Sequence, residues 1–124
     1  MGTMDNPVGK TLPSFLVVGC GSIGRRHARN LLSLGVREIA VFDASPERRN
    51  QLASEFGVDT VENLDQGWER KPDVVIIALP TSLHVSLALE AARRGCHLFV
   101  EKPLSDRLDN VEDLLEMVRQ QELV

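Results

Sequence analysis

Phe15-Leu16-Val17-Val18-Gly19-Cys20-Gly21-Ser22-Ile23-Gly24 is the stretch whose reading decides the fold. Its first four residues are apolar and two are β-branched, and they stop at a glycine, the pattern of a short buried strand. Beyond the glycines, Ile23, His27, Leu31 and Leu34 recur at near-helical spacing, Ala28 and Leu32 widen the stripe, and Gly35 stands where a helix would stop. Gly19, Gly21 and Gly24 match G-x-G-x-x-G. Such a turn is common by itself, and S-adenosylmethionine enzymes use similar ones. Between a strand and a helix it has a definite physical use: Gly19 turns tightly, Gly21 admits a pyrophosphate to the backbone, and Gly24 packs helix on strand. The amides near Ser22 and Ile23 would then meet phosphate at the positive helix end. A glycine turn holding no ligand is the competing reading.

Working outward, Glu38 to Phe42 reads as a second strand that delivers Asp43, about 20 residues beyond the glycines, where a carboxylate can accept both hydroxyls of an adenine ribose. This favours NAD over NADP. Asp also commonly begins a turn, which is the structural alternative for Asp43. Arg48 and Arg49 stand close enough in sequence to offset repulsion of a 2′-phosphate, although as residues of a helix start they read as solvated. Ser45-Pro46 supplies an N-cap and a first-turn proline, Leu52, Ala53 and Phe56 the buried face, and Gly57 the stop. Asp59 to Val61 is a short third strand, and Asn63 to Arg70 a weak helix interrupted by Gly67 and anchored by Trp68.

Val74 to Leu79 is continuous and apolar, as a strand covered on both faces should be. Pro80 ends it, and Thr81 or Ser82 caps a helix whose Val85, Ala88, Leu89 and Ala92 face inward until Gly95. His97 to Val100 is a fifth strand. Asp109 and Glu112 have capping-box spacing, and Val111, Leu114, Leu115 and Val118 give a last helix its apolar face. Strands alternating with helices through short connections predict an α/β, Rossmann-type doubly wound parallel sheet. Two complete mononucleotide halves would have six strands, so the chain reads as truncated before the sixth. The edge of the fifth strand is then expected to be unpaired and to promote self-association.

Composition bounds the function. The chain has 124 residues, enough for one core; 43% are hydrophobic and 26% charged, near the average for folded soluble domains. A net charge of −4, with Lys and Arg clustered only in pairs, argues against nucleic acid as a partner. No apolar run approaches the roughly 20 residues that span a bilayer, and no secretory leader opens the chain, so the expectation is a cytoplasmic protein with no membrane partner. Residues 1–13 read as a flexible leader, with Met1-Gly2-Thr3 a cloning remnant before Met4, and 14–124 as the NAD(P)-binding domain. The Met1-Gly2 start lacks the Ser or Thr that myristoylation wants at Asn6. Cys20 and Cys96 lack metal or redox spacing and are expected to be buried thiols, and no metal cluster is visible.

Gly19 to Gly24 continuing as Arg25-Arg26-His27-Ala28, the run Ala78-Leu79-Pro80-Thr81-Ser82-Leu83-His84, and Glu101-Lys102-Pro103 after a strand together resemble the glucose-fructose oxidoreductase, inositol dehydrogenase and rhizopine-catabolism (Gfo/Idh/MocA) family. The resemblance spans Phe15 to about Val118. It implies that Leu79, Pro80 and Thr81 line the cofactor at the end of the fourth strand, and that Glu101 hydrogen-bonds the nicotinamide ribose. It also implies that Lys102 contacts cofactor and substrate and helps the hydroxyl proton depart. His84 either reaches the same crevice or is a helix-surface or capping residue. His27 reads as a packed core histidine, and His97 and Trp68 as structural. The family's remaining active-site aspartate and histidine come from a C-terminal α/β domain that has no counterpart in these residues.

The reading is therefore the nucleotide-binding part of an NAD-dependent oxidoreductase of a sugar, cyclitol or related polyol, binding cofactor but inactive alone. A stand-alone nicotinamide-nucleotide-binding or sensor module is the alternative. Length favours that alternative, and Glu101-Lys102-Pro103 argues against it.

Overall fold

The computed structural model describes residues 12–79, 83–100, 111–121 and 123. Strands β1 (Phe15–Val18), β2 (Ile39–Phe42), β3 (Asp59–Thr60), β4 (Val74–Ile77) and β5 (His97–Val100) alternate with helices α1 (Ser22–Ser33), α2 (Pro46–Phe56), α3 (Leu64–Glu69), α4 (His84–Arg93) and α5 (Val111–Gln120). The strands form one sheet in the order β3-β2-β1-β4-β5, every pairing parallel. The expected five-stranded Rossmann-type sheet is thus observed. Its register matters for the site: Val18 lies beside both Phe42 and Ile77, and Ile77 beside Val100, so four strands end level with one another.

The apolar runs read as continuous because their alternate residues serve two cores. Leu16, Val18, Val75 and Ile77 pack with Trp68, α4 and Leu114 of α5 on one face. Val17, Val41 and Ile76 pack with Ala28, Leu31 and Leu52 on the other, under α1 and α2. Each fully buried Val, Leu or Ile contributes about 1.5–3 kcal/mol, so the central strands supply much of the stability. At the sheet's amino edge, Ser14 and Asp73 tie β1 to β4: the Ser14 amide donates to Asp73 Oδ2 at 2.9 Å, and the Asp73 amide donates to the Ser14 carbonyl at 3.0 Å.

Local signals explain α2 well. Ser45 Oγ accepts from the Arg48 amide, Pro46 occupies the first turn, and Gly57 closes the helix at φ 71°, a left-handed conformation that costs glycine little. The other helices depart from the sequence expectation in instructive ways. Helix α1 buries Gly24, Ala28 and Leu31, whereas Ile23 and Leu34, expected on the stripe, are exposed by 41% and 74%. The cause is Gly24: a Cβ there would lie 1.8 Å from the Gly19 carbonyl oxygen, so this face is pressed against the glycine turn and Ile23 is rotated outward. His27 is accordingly half-buried rather than a core residue, its ring edge-on to Phe99 at 5.1 Å between centroids.

Gly67, an apparent flaw in α3, lets the helix pack closely on β1, since a Cβ there would come within 2.9 Å of Leu16 Cδ2 and push that side chain aside. Trp68 is buried as expected, with the Arg94 guanidinium 5.1 Å from its ring centroid. Strand β4 ends at Ile77, two residues before the predicted Leu79. Helix α4 spans His84–Arg93, preceded by Leu83, which makes no side-chain cap bond, and the expected cap at Thr81 or Ser82 lies outside the described residues. In α5, Leu114 is buried but Leu115, expected inward, is 60% exposed, and Met117 and Val118 complete the packed face. The capping box at Asp109 and Glu112 lies outside the described residues and side chains. No described helix is long and apolar enough to cross a membrane.

Candidate functional site

Because β1, β2 and β4 are parallel and end level, the segments that leave them converge at one edge of the sheet, where open α/β sheets bind ligands. The Gly19 amide donates to the Phe42 carbonyl at 2.7 Å and the Ala78 amide to the Val18 carbonyl at 2.8 Å, so the glycine turn, Asp43 and the Ala78-Leu79 segment begin as immediate neighbours.

The three glycines differ. Gly19 adopts φ 108°, and a Cβ there would stand 2.5 Å from the Ala78 carbonyl oxygen; both backbone conformation and contact exclude a side chain. Gly24 is excluded by its contact with Gly19. Gly21 has ordinary backbone angles, φ −76° and ψ −165°, and among the described residues nothing stands close to its Cβ position except Arg48 Nη1 at 3.9 Å. The protein therefore crowds Gly19 and Gly24 itself and leaves open space at Gly21. Gly21 is the N-cap of α1, makes no side-chain cap bond, and is followed by a first turn without acidic residues. The first main-chain bond of the helix runs from the Arg25 amide to the Gly21 carbonyl at 2.9 Å, so the Ser22, Ile23 and Gly24 amides have no acceptor within α1.

Asp43 is 8% exposed. Its Oδ2 accepts from the Cys20 amide at 2.8 Å, a bond across 23 residues, and its Oδ1 accepts from the Ser45 amide at 2.8 Å. The second bond is the turn expected of an aspartate here; the first fastens the carboxylate to the glycine turn. Each oxygen keeps acceptor capacity after one bond. Arg49 Nη1 donates to the Asp43 backbone carbonyl at 2.8 Å, correcting the expectation that both arginines are merely solvated. Arg48 Nη1 stands 4.0 Å from Asp43 Oδ2. Both cations stand in the first turn of α2, at its positive end, where the helix dipole favours an acceptor partner for each over plain solvation.

Cys20 and Cys96 are both buried free thiols, as expected. Burial, reinforced by the Asp43 charge and offset by Arg49 and Arg48, pushes the Cys20 thiol up to about 12, and burial likewise raises Cys96. Neither is a thiolate nucleophile at neutral pH.

His84 is only 1% exposed, and its Nε2 donates to the Leu79 carbonyl at 2.5 Å. It is therefore neither a surface nor an exposed capping histidine, and it holds the carboxyl end of β4 to the start of α4. Pro80, Thr81, Glu101, Lys102 and Pro103 lie outside the described residues. Among the described residues no group of His, Cys, Asp and Glu is placed to hold a metal ion. A hollow of about 540 Å³ at the opposite, amino edge is lined by Trp68, Asp73, Arg94 and Cys96, but Arg94 already pairs with Glu90 at 2.8 Å and covers Trp68.

The arrangement fits a dinucleotide: an uncapped helix start, space at Gly21 for a phosphate, and a buried carboxylate fastened beside it. Residues 14–124 match the family model described as an oxidoreductase family with an NAD-binding Rossmann fold. The scyllo-inositol 2-dehydrogenase (NAD(+)) of Bacillus subtilis is 33% identical over 115 residues, covering 84% of this chain and 32% of that protein. Among solved structures, the UDP-N-acetylglucosamine 3-dehydrogenase of Acidithiobacillus ferrooxidans superposes with a TM-score of 0.81 at 29% identity, over 90% of this chain and 35% of that one. The WlbA dehydrogenase of Bordetella pertussis, in complex with NADH and UDP-GlcNAcA, gives 0.84 at 25% identity, over 94% and 36%. The chain thus spans about a third of the length of these relatives. With the fold, the glycine turn and the family match in agreement, this chain belongs to the Gfo/Idh/MocA oxidoreductase family and is its NAD-binding Rossmann domain.

Proposed function

We propose that this chain is the cofactor-holding unit of an NAD-dependent oxidoreductase that interconverts a hydroxyl and a carbonyl on a sugar, cyclitol or related polyol. The observation that carries the reading is the start of α1, which has no side-chain cap, no acidic residue in its first turn, and open space at Gly21 beside the buried Asp43 carboxylate. Gly19 and Gly24 shape the turn, and the Ser22 and Ile23 amides at the positive helix end take the pyrophosphate. Asp43 accepts the adenine ribose hydroxyls with the lone pairs left by Cys20 and Ser45. A 2′-phosphate there would face a like charge, so NAD is favoured over NADP.

Leu79, Pro80 and Thr81 line the cofactor at the end of β4, with His84 acting from behind as the buried group that holds the Leu79 carbonyl, and Glu101 holds the nicotinamide ribose. Bound NAD supplies the hydride acceptor. Lys102 touches cofactor and substrate and takes the hydroxyl proton at Nζ, a task that needs a neutral amine and hence a site walled off from water, where a lysine pKa falls. The substrates named for the relatives, an inositol and UDP-N-acetylglucosamine, support the polyol and sugar class. The chain's share of its relatives' length supports a second domain as the missing wall. A cytoplasmic location, a separate leader over residues 1–13, and self-association through β5, whose Phe99 is 51% exposed, belong to the same reading.

The test is a fluorescence titration with NADH beside a polyol and sugar panel followed at the nicotinamide absorbance, for these 124 residues and for a form extended by the substrate domain. Both forms should bind NADH and only the extended one should turn over. Lys102→Met in the extended form should lower turnover by roughly 10²- to 10⁴-fold while keeping most cofactor affinity. Dehydrogenation by the short chain, or an unchanged rate in Lys102→Met, would overturn the assignment. Binding without turnover in the extended form would favour a sensor module.

A further inference from the structure

We infer that Arg48 is a specificity-determining residue of this site, the cation that sets how strongly Asp43 rejects a phosphorylated dinucleotide. The inference rests on the dinucleotide reading and extends it to one side chain. Two arginines follow Pro46 and Glu47 in the first turn of α2, at a helix end whose dipole favours anions, so each is stabilised by an acceptor partner. Arg49 has one: its Nη1 donates to the Asp43 carbonyl at 2.8 Å and steadies the turn. Arg48 is placed differently. Its side chain is 61% exposed, and its Nη1 stands 4.0 Å from Asp43 Oδ2, at the outer limit of an ion pair, and 3.9 Å from where a Cβ on Gly21 would be.

One guanidinium therefore spans the gap between the glycine turn and the carboxylate. Those are the two features that would receive the pyrophosphate and the adenine ribose. Asp43 Oδ2 is already engaged by the Cys20 amide, so Arg48 is not needed to satisfy it. An exposed arginine at this spot has two effects. It offsets the Asp43 charge that repels a 2′-phosphate, and its planar set of donors can turn onto a phosphate group and bind it bidentately. The consequence is a preference for NAD that is real but shallow, held down by Arg48.

The experiment titrates NADH and NADPH against the unaltered chain, Arg48→Gln and Arg48→Lys, at low and high salt. Arg48→Gln should weaken NADH roughly threefold and NADPH roughly thirtyfold, widening the ratio of their dissociation constants about tenfold, as expected for loss of a charge-assisted phosphate contact. Arg48→Lys should fall between, and the ratio should depend more on salt in Arg48→Gln, where the Asp43 repulsion is no longer offset, than in the unaltered chain. A merely structural role would weaken both cofactors alike, so an unchanged ratio, or tighter NADPH binding in Arg48→Gln, would overturn this inference and leave the dinucleotide reading intact. Failure of the unaltered chain to bind NADH would overturn both.

Discussion

Helices α1 and α2 start at the same edge of the same sheet and are built on opposite plans. Helix α2 is finished from its own residues: Ser45 caps it, Pro46 enters its first turn, and Glu47 faces its positive end. Helix α1 starts from a glycine that offers no cap, carries no acid in its first turn, and leaves space at Gly21. Helix α3 follows the α2 plan, with Asn63 as its cap and Asp65 in its first turn. The difference teaches where the protein spends side chains on its own stability and where it leaves backbone donors and room to something else.

The largest effect is expected at Gly24, where α1 meets the turn. Alanine there would press into the Gly19 carbonyl, and Gly24→Ala should cost roughly 3 kcal/mol, read as a lowered urea midpoint. A midpoint unchanged by that substitution would mean that α1 is free to move off the turn. Next comes Asp43→Asn. The asparagine amide has one acceptor atom for the two backbone donors that the carboxylate serves, so one of them loses its partner at a cost of about 2 kcal/mol, and the NADPH to NADH dissociation ratio should fall toward one. Unaltered stability and an unaltered ratio would leave Asp43 without either role.

Gly21→Ala separates the two functions of the turn. Its backbone angles suit alanine and no backbone or core atom of the described residues stands close to the new Cβ, so stability should change by less than about 1 kcal/mol while NADH affinity falls tenfold or more, about 1.4 kcal/mol. Affinity equal to that of the unaltered chain would show that the open space is not the ligand's. At α2 the expectation is reversed: Ser45→Ala should lower stability by about 0.5–1 kcal/mol and leave NADH affinity alone.

The smallest effect at neutral pH concerns Cys20. Its folded pKa is raised from 9.0 to about 12, so below 9 both folded and unfolded chains hold the proton. As pH rises from 9 toward 12 the unfolded chain releases it first, and stability falls over that window. Urea midpoints at pH 8 and pH 10 should diverge less in Cys20→Ala than in the unaltered chain; equal divergence would assign the loss to other groups.

Much of this was legible in the residues themselves. The alternation of strands and helices, the glycine turn, the Ser45-Pro46 helix start and the stop at Gly57 are local signals, carried by periodicity and backbone preference within a few residues. Asp43 was legible as a strand-end carboxylate because its spacing from the glycines is itself a sequence property. Contacts between distant segments were not. The exposure of Ile23 and the burial of Gly24 follow from how closely α1 approaches Gly19, and Gly67 makes sense only against Leu16. The bond from Cys20 to Asp43 and the burial of His84 depend on β2 and β4 flanking β1, and the position of Arg48 over Gly21 depends on how α2 leaves the sheet beside α1. The sequence by itself determined which segments become strands, helices and turns, because those choices are made by neighbours along the chain. Only the tertiary structure decided which face each helix turns inward and which side chains meet at the strand ends, because those are set by steric and hydrogen-bonding contacts among residues tens of positions apart.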